Sequence, residues 1–180
     1  IIVKVRSATD PWSVYHSANT SSPETDYLVL NSSAATADAD NRWNDTAPTS
    51  TLITLGGSNT VNGNGLTYVA YCYVGKQGYS KFGSYIGNGD VDGPFIYTGF
   101  KPGWLMIKRT DSSGEWIIMD HKRTDYTNAN PVDKVLYADS NGAEYDETQG
   151  VDFLSNGFKQ KEAGAGWGNA DGGTYVYFAF

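Results

Sequence analysis

The chain has 180 residues and a formal net charge of −7, from 13 Lys and Arg against 20 Asp and Glu. This acidic balance repels nucleic-acid phosphates and anionic lipid headgroups, so neither is an expected partner. No apolar run approaches the roughly 20 residues that a membrane-spanning helix needs, so membrane insertion is not expected. Aromatic residues make up 14% of the chain and 21 residues are Gly, a composition typical of strands and turns. We expect one nearly all-β domain over residues 1–180.

A hairpin pattern opens the chain and returns later. Lys4 and Trp12 lie in two short apolar runs separated by a turn, and Lys108 and Trp116 repeat their spacing. The second turn, residues 111–114, contains Asp, Ser and Gly, which tolerate the backbone of tight hairpins. Each copy is therefore predicted to begin with a β-hairpin. Equal spacing also gives both Trp residues the same strand parity, which predicts related positions about a pseudo-twofold axis.

The similarity continues to the end of each half. Two further pairs of segments correspond in the same order: residues 27–33 with 134–140, and residues 62–69 with 169–176. Such recurrence indicates an internal repeat. Repeat unit one is residues 1–74 and repeat unit two is residues 104–180, and each is predicted to cover the apolar face of the other.

The segment between the units, residues 75–103, is rich in Gly and aromatic residues. A flexible linker is polar and poor in aromatics, so this composition predicts one or two ordered strands joined by a Gly-rich loop. Cys72, just before this segment, lies in an apolar run and is predicted to be a small buried hydrophobe. Together the elements predict an antiparallel two-sheet β-sandwich of jelly-roll type.

Several motifs in the second half of the chain carry a family resemblance. They are residues 78–85 (GYSKFGSY), 87–89 (GNG), 92–95 (DGPF), 99–102 (GFKP), 104–110 (WLMIKRT) and 152–158 (DFLSNGF). With them the chain resembles a module of tail-fibre and other virion structural proteins of tailed bacteriophages, many of them marine. The segment equivalent to residues 99–102 is missing before the first copy, so the chain is expected to be part of a longer polypeptide.

This resemblance implies a concanavalin-like sandwich by analogy and a place at the virion surface or outside the cell. It implies a structural role in a tail fibre, spike or decoration protein, serving assembly or surface attachment. The expected partners are other virion proteins or further copies of the chain, in a trimer or an open-ended assembly. No enzymatic activity is implied.

The residues themselves also argue against catalysis. Acidic residues lie mostly in turn-like segments such as 38–40 and 144–147, and none occupies an apolar strand beside a second acid, as a glycosidase would require. No Gly-x-Ser-x-Gly nucleophile elbow occurs. His16 and His121 are predicted to be ordinary strand-end residues. We therefore expect no catalytic residue.

A carbohydrate-binding, lectin-like receptor-binding domain is the alternative function. Exposed Trp and Tyr rings can stack on the apolar face of a sugar. Trp43, Tyr126 and Trp167 lie in polar, Gly- or Asn-rich surroundings and are the candidate ligand-binding residues. The alternative for each of them is a ring that closes the end of the sandwich core.

One segment carries a candidate metal site. Asn88, Asp90 and Asp92 present three oxygen side chains at alternate positions, as calcium loops do. The position that would supply a bidentate Glu is Gly99, and no helical flanks are predicted. A simple turn with solvated carboxylates is therefore the favoured interpretation, and no obligate cofactor is expected. If the protein is instead a carbohydrate-binding domain, calcium is the candidate cofactor.

Overall fold

The computed structural model describes residues 1–123, 130–163 and 168–180, without the side chains of residues 147–149. In this part of the chain, 13 strands and two four-residue helices form, α1 (Asp40–Trp43) and α2 (Asn59–Asn62). The prediction of a nearly all-β protein is confirmed. Among the described residues, no helix has both the length and the apolar character to cross a membrane.

The first half of the chain forms a five-stranded antiparallel sheet. Its strands lie in the order β4-β3-β2-β1-β5 and are β1 (Ile2–Val5), β2 (Ser13–Val14), β3 (Asp26–Val29), β4 (Ala37–Asp38) and β5 (Tyr68–Tyr71). Four consecutive strands, β1 to β4, are followed after a long connection by β5, which returns beside β1, so that β5, β1, β2 and β3 lie side by side in that order. This arrangement is a Greek key.

The second half forms an eight-stranded antiparallel sheet in the order β6-β13-β8-β9-β10-β11-β12-β7. Its strands are β6 (Lys81–Ile86), β7 (Phe95–Tyr97), β8 (Trp104–Arg109), β9 (Trp116–Asp120), β10 (Val132–Tyr137), β11 (Tyr145–Leu154), β12 (Gly157–Gln160) and β13 (Thr174–Ala179). The predicted strands of residues 75–103 are β6 and β7, which form the two edges. Strands β13, β8, β9 and β10 repeat the Greek-key order of the first sheet.

The eight-stranded sheet curls until its ends meet. The Tyr85 hydroxyl of β6 accepts a hydrogen bond of 2.8 Å from Gln160 Nε2 of β12. The Lys81 ammonium of β6 lies 5.2 Å from the ring centroid of Tyr97 in β7. Because β6 is at one end of the strand order and β12 and β7 are at the other, these contacts make the sheet nearly a closed barrel.

The two Greek keys pair their strands in the same register. Ile2 faces Val14 in the first hairpin, as Met106 faces Ile118 in the second. Spacing places Ile2 with Met106, and Trp12 with Trp116, so both hairpins are built alike. The predicted division into repeat units stays a prediction about domain organisation, and this shared register supports it.

The third strands correspond one residue away from the predicted alignment. The Trp12 amide donates to Asn31 Oδ1 at 2.9 Å, and the Trp116 amide donates to Asp139 Oδ1 at 3.0 Å. Asn31 therefore corresponds to Asp139, whereas the sequence alignment pairs Asn31 with Ala138. In each half, this side-chain hydrogen bond to the Trp amide fixes how the third strand aligns with the second. The pattern of apolar residues alone does not show this alignment.

Three apolar clusters stabilise the fold. The central cluster lies between the sheets and includes Ile2 and Val14 from the first and Met106, Trp116 and Phe178 from the second. A second cluster fills the inside of the curled sheet, and a third lies between the five-stranded sheet and the helices. Two sheets facing one another across a shared core confirm the predicted antiparallel sandwich.

The Lys residues of the two hairpins hold the hairpin turns. Lys4 Nζ donates to the Asp10 carbonyl at 2.8 Å, and Lys108 Nζ donates to the corresponding Gly114 carbonyl at 2.8 Å. Lys108 also donates to the carbonyls of Ser33 and Arg109, and burial lowers its pKa to about 8. The repeated Lys-to-Trp spacing thus has a structural cause. Each lysine side chain hydrogen-bonds a carbonyl of the turn that follows it, and this turn leads into the strand or segment that carries the tryptophan.

Candidate binding cleft

A cleft of about 560 Å³ opens where the five-stranded sheet meets the start of β6. Most of its lining comes from three parts of the chain: residues 15–17 after β2, the segment 73–77 after β5, and the first residues of β6; Ile1, Pro48 and Thr98 add to it. Phe178 of β13 closes its inner end. We call this the binding cleft. Its volume lies in the range of a few hundred to about 1,000 Å³ that ligand sites usually have.

Aromatic rings form one side of the binding cleft. Tyr73 is 45% exposed, and its ring centroid lies 6.0 Å from that of Phe82, 6.4 Å from Phe178 and 5.8 Å from Phe180. Tyr79 is 64% exposed and packs against Phe180 at 6.4 Å. We call these five residues the aromatic wall. Because several rings support Tyr73 from behind, its exposed face is held in place.

His16 forms the buried floor of the cleft. Its Nε2 donates to the Tyr177 carbonyl at 3.1 Å, and its Nδ1 accepts from the Ala18 amide at 3.1 Å. The ring packs edge-on against Phe178 with centroids 5.0 Å apart. Burial lowers the pKa of His16 to about 4, against the opposing effect of the Tyr177 carbonyl. His16 is therefore a neutral, fully hydrogen-bonded residue, and it is more buried than a strand-end position predicts.

A tight turn at residues 76–80 forms the rim. The Lys76 amide donates to the Ser80 carbonyl at 2.9 Å, and Ser80 Oγ donates to the Val74 carbonyl at 2.9 Å. Gly78 has a φ of +74°, a left-handed conformation that a side chain would strain. The turn holds Lys76 and Gln77 at the cleft and Tyr79 in the aromatic wall.

A second cleft, of about 570 Å³, follows the same boundary between the sheets. Residues 18–20 and 84–86 line it together with Thr110 and Thr174. Its aromatic ring, Tyr85, is partly buried and packs on the apolar cluster inside the curled sheet, and the Tyr85 hydroxyl donates to the Gly168 carbonyl at 2.7 Å. Because it offers a single, partly buried ring whose hydroxyl is already bonded and no lysine, this cleft is the weaker candidate for binding a ligand.

Trp43 is not a surface platform, so this candidate was placed wrongly. Its side chain is 1% exposed and packs in the third apolar cluster with Val3, Tyr15 and Val61. Its indole Nε1 donates to the Asp26 carbonyl at 2.9 Å. Helix α1 directs the Trp43 ring into this cluster. The polar residues beside Trp43 in the sequence do not show which way the ring points. Trp43 is a core residue and is unable to stack on a sugar.

Tyr126 and Trp167, the other two candidate ligand-binding residues, lie outside the described residues. The sequence pattern does not predict the aromatic wall, because its rings come from β6, β13 and the chain after β5. Only the sheet topology brings them together. The one sequence feature that points to these rings is the density of aromatic residues between 71 and 82.

Cys72 is exposed. The prediction that it is buried was wrong, because β5 ends at Tyr71 and Cys72 lies just beyond the strand.

The candidate calcium ligands form a turn organised by Asn169. Asn169 is fully buried, and its Nδ2 donates to Asn88 Oδ1 at 3.0 Å and to the carbonyls of Asp90 and Glu162 at 2.8 Å each. Asp90 Oδ1 accepts from the Asp92 amide at 2.8 Å, and Asp92 pairs with Lys159. The amide group thus lies among the oxygens that a cation would bind. The described residues contain no group of three or more His, Cys, Asp or Glu side chains able to hold a metal.

Two carboxyl groups meet at the turn between β8 and β9. The neighbouring Asp139 and, to a lesser extent, burial raise the pKa of Glu115 to about 7. Both residues lie outside the strands, so this pair does not contradict the expectation that no acid in an apolar strand lies beside a second acid. Asp139 Oδ1 accepts a hydrogen bond from the Trp116 amide at 3.0 Å, so one carboxyl group of the pair already has a structural role. The pair is better understood as part of the cap on the Trp116 amide.

Two antiparallel sheets with a cleft at their boundary define a β-sandwich protein with a candidate ligand-binding site. The chain belongs to a family described as a domain of unknown function (DUF7483), whose model matches residues 1–180. No curated protein and no solved structure matches the chain. Because the family description names no activity, the geometry of the binding cleft carries what can be inferred about function.

Proposed function

We propose that this protein is a structural module of a tailed-phage virion that attaches the particle to a surface through the binding cleft. The resemblance of residues 78–110 to such modules supports the virion setting. The observation that carries the attachment role is the preformed cleft with its aromatic wall. Rings that are already fixed lose little conformational freedom on binding, so a ligand gains more from each contact.

The chemistry of the cleft favours binding over catalysis. His16 is its buried titratable ring, and both of its nitrogens are engaged with backbone groups. Proton transfer by His16 would break one of these bonds. A pKa of about 4 also leaves the ring a weak base at neutral pH. We therefore propose a non-enzymatic role at the virion surface or outside the cell.

Self-association, in a trimer or an open-ended assembly, is part of the proposal. Strands β4 and β5 are the edges of the five-stranded sheet, and the last residues of β5, Ala70 and Tyr71, are exposed. An exposed edge strand can pair with another chain. Several linked copies would raise the avidity of weak surface sites without new contacts. The other expected partners are neighbouring virion proteins.

A cell-binding assay tests the attachment role. Fluorescently labelled protein is incubated with the bacterial host, and bound fluorescence is compared among the wild type, the double variant Tyr73→Ala/Tyr79→Ala and Tyr145→Ala. Tyr145 is also half exposed but lies on β11, away from the cleft, so it is a matched control. We expect binding to be lost only in the cleft variant. Equal binding by all three folded proteins would contradict the attachment role of the cleft.

A second experiment tests the virion setting. Antibodies raised against the chain are applied to purified particles of the encoding phage, and gold label is located by electron microscopy. We expect label on a tail fibre, spike or capsid surface. Intact and disrupted particles that both remain unlabelled, while the free protein is detected in the lysate, would refute a virion component.

A further inference from the structure

Basic residues line the binding cleft of an acidic protein. Lys76 and Lys81 both contribute to its surface, and the described residues that line it include no Asp or Glu. The whole chain has 20 acidic and 13 basic residues. The protein as a whole repels an anion, but the two lysines attract one to the cleft. The cleft is therefore the part of the surface where an anion is expected to bind.

The same cleft exposes rings suited to a sugar. Tyr73 and Phe82 line it, and Tyr79 extends the wall beyond its rim. A pyranose ring presents an apolar C–H face and polar edges, which match the face of an amphipathic aromatic ring. A small inorganic anion would use the lysines and leave these rings uncovered.

Free polar groups line the same cleft as the rings. The side chains of Ser17, Lys76 and Gln77 line the cleft and form no hydrogen bond with any other described residue. His16, Ser80 and Thr98 are in contrast committed to backbone partners. The free groups supply an ammonium, an amide and a hydroxyl, which can bind the hydroxyl and acidic groups at the edge of a sugar.

From this combination we infer that the binding cleft takes an acidic saccharide, whose sugar rings carry carboxylate or sulfate groups. The inference rests on the proposed attachment function and names its ligand class. The sugar face packs on Tyr73, and the acidic group lies toward Lys76 and Lys81. Ser17 and Gln77 hydrogen-bond the ring hydroxyls.

Isothermal titration calorimetry tests the ligand class with four probes: oligogalacturonate, dextran sulfate, neutral dextran and a poly-glutamate peptide. We expect wild-type protein to bind one or both acidic saccharides at low salt and to bind dextran and the peptide much more weakly. The two acidic probes distinguish a carboxylate ligand from a sulfate ligand. Binding of dextran as tightly as its sulfated form would overturn the charge requirement, and preferential binding of the peptide would overturn the saccharide.

Paired variants separate a cleft from general charge attraction. Lys76→Gln/Lys81→Gln removes the cleft cations, and Lys101→Gln/Lys122→Gln removes two exposed lysines elsewhere with the same change in net charge. We expect the first pair to weaken binding about fivefold to tenfold, the effect of losing two exposed ion pairs, and the second to change it less than about twofold. Equal effects would overturn the site.

The saccharide and the attachment role can fail separately. If the cleft variant Tyr73→Ala/Tyr79→Ala loses cell binding but no acidic saccharide binds the wild type, attachment stands and the ligand class is wrong. If acidic saccharides bind in the cleft but cells are bound equally by all variants, attachment fails. Thermal melting of every variant shows that it is folded, and the lysine pair provides the test even if the tyrosine variant does not fold.

Discussion

Lys108 is fully buried, although lysine is among the residues least often found in a protein interior. Its ammonium donates to three carbonyls, of Ser33, Arg109 and Gly114. Ser33 belongs to the first half of the chain, so this side chain ties the two halves together. Lys4, at the corresponding position, is partly exposed and reaches only its own turn. The repeat therefore provides a natural pair of unequal lysines.

We predict that Lys108→Met lowers the free energy of unfolding by at least about 2 kcal/mol, because three buried carbonyls lose a charged donor. Lys4→Met removes one partly exposed bond and should lower it by less than about 1.5 kcal/mol. Urea denaturation at neutral pH measures both values. Equal losses in the two variants would show that the contact of Lys108 with Ser33 adds no stability.

His16 makes the stability depend on pH. Its ordinary pKa of 6.5 falls to about 4 in the folded protein because of burial. The unfolded chain therefore binds more protons than the folded chain between these values, and stability is lost as the pH falls from about 6.5 to about 4. For a group this buried the loss amounts to about 3 kcal/mol.

We predict that His16→Gln reduces the loss of the free energy of unfolding between about pH 6.5 and about pH 4. The variant should be less stable than the wild type at pH 7.5, and the difference should shrink steadily toward pH 4. The measurement is the free energy of unfolding in urea at several pH values. His121→Gln removes the other histidine of the chain and is the control for the loss of an imidazole. A parallel pH dependence in the wild type and His16→Gln would disprove the role of His16.

At the scale of elements, β13 joins the two apolar cores. Tyr175 and Tyr177 point into the curled sheet, whereas Val176 and Phe178 point into the central cluster between the sheets. The strand pairs with β6 on one side and β8 on the other. A strand with both faces buried shows as a continuous apolar run, as in the sequence of residues 175–179. Its packing explains why β13 supplies Phe178 to the cleft.

Asn169 organises the turn of residues 88–93 through its side-chain amide. We predict that Asn169→Ala lowers the melting temperature strongly, because the oxygens that Nδ2 satisfies lose their donor, at about 1 to 3 kcal/mol. The exposed Asp92→Asn change should have little effect. We also expect the wild type to melt at the same temperature in calcium and in EDTA. A rise with calcium that Asp90→Asn abolishes would contradict this interpretation.

The whole molecule is held by the central cluster, where corresponding residues of the two halves meet. Ile2 and Met106 both belong to it, as do Trp12 and Trp116. The two Trp residues are not equivalent in depth. Trp116 is fully buried and donates from Nε1 to the Val29 carbonyl at 2.8 Å, across the two sheets. Trp12 is partly exposed and stacks on Tyr71 at 6.3 Å.

We predict that Trp116→Ala lowers the free energy of unfolding by about 3 to 5 kcal/mol, the usual range for emptying a large core site. Trp12→Ala should have a smaller effect, because part of its ring already contacts solvent. Both variants should melt in one transition, since the cluster belongs to both halves. Calorimetry checks this, and two transitions, each shifted by one mutation, would show that the halves fold independently.

The sequence by itself determined the strand content, the two hairpins and the apolar runs of β8 and β9. These features follow from local chemistry: turn residues at fixed positions and side chains that alternate between two faces. The sequence also predicted the sandwich, because two similar units with apolar faces can bury them against each other. The Lys-to-Trp spacing was visible too, and its cause is a local contact within each hairpin.

Only the tertiary structure decided which residues form a site. Tyr73, Phe82 and Phe178 become neighbours because β13 pairs with β6 after a long connection, and no local pattern fixes that pairing. The burial of Trp43 has the same origin, since a helix packed on a sheet sets the direction of its ring. Asn169 organises the turn of residues 88–93 through contacts about 80 residues away along the chain. Long-range packing therefore determines the cleft, whereas local periodicity determines the strands that frame it.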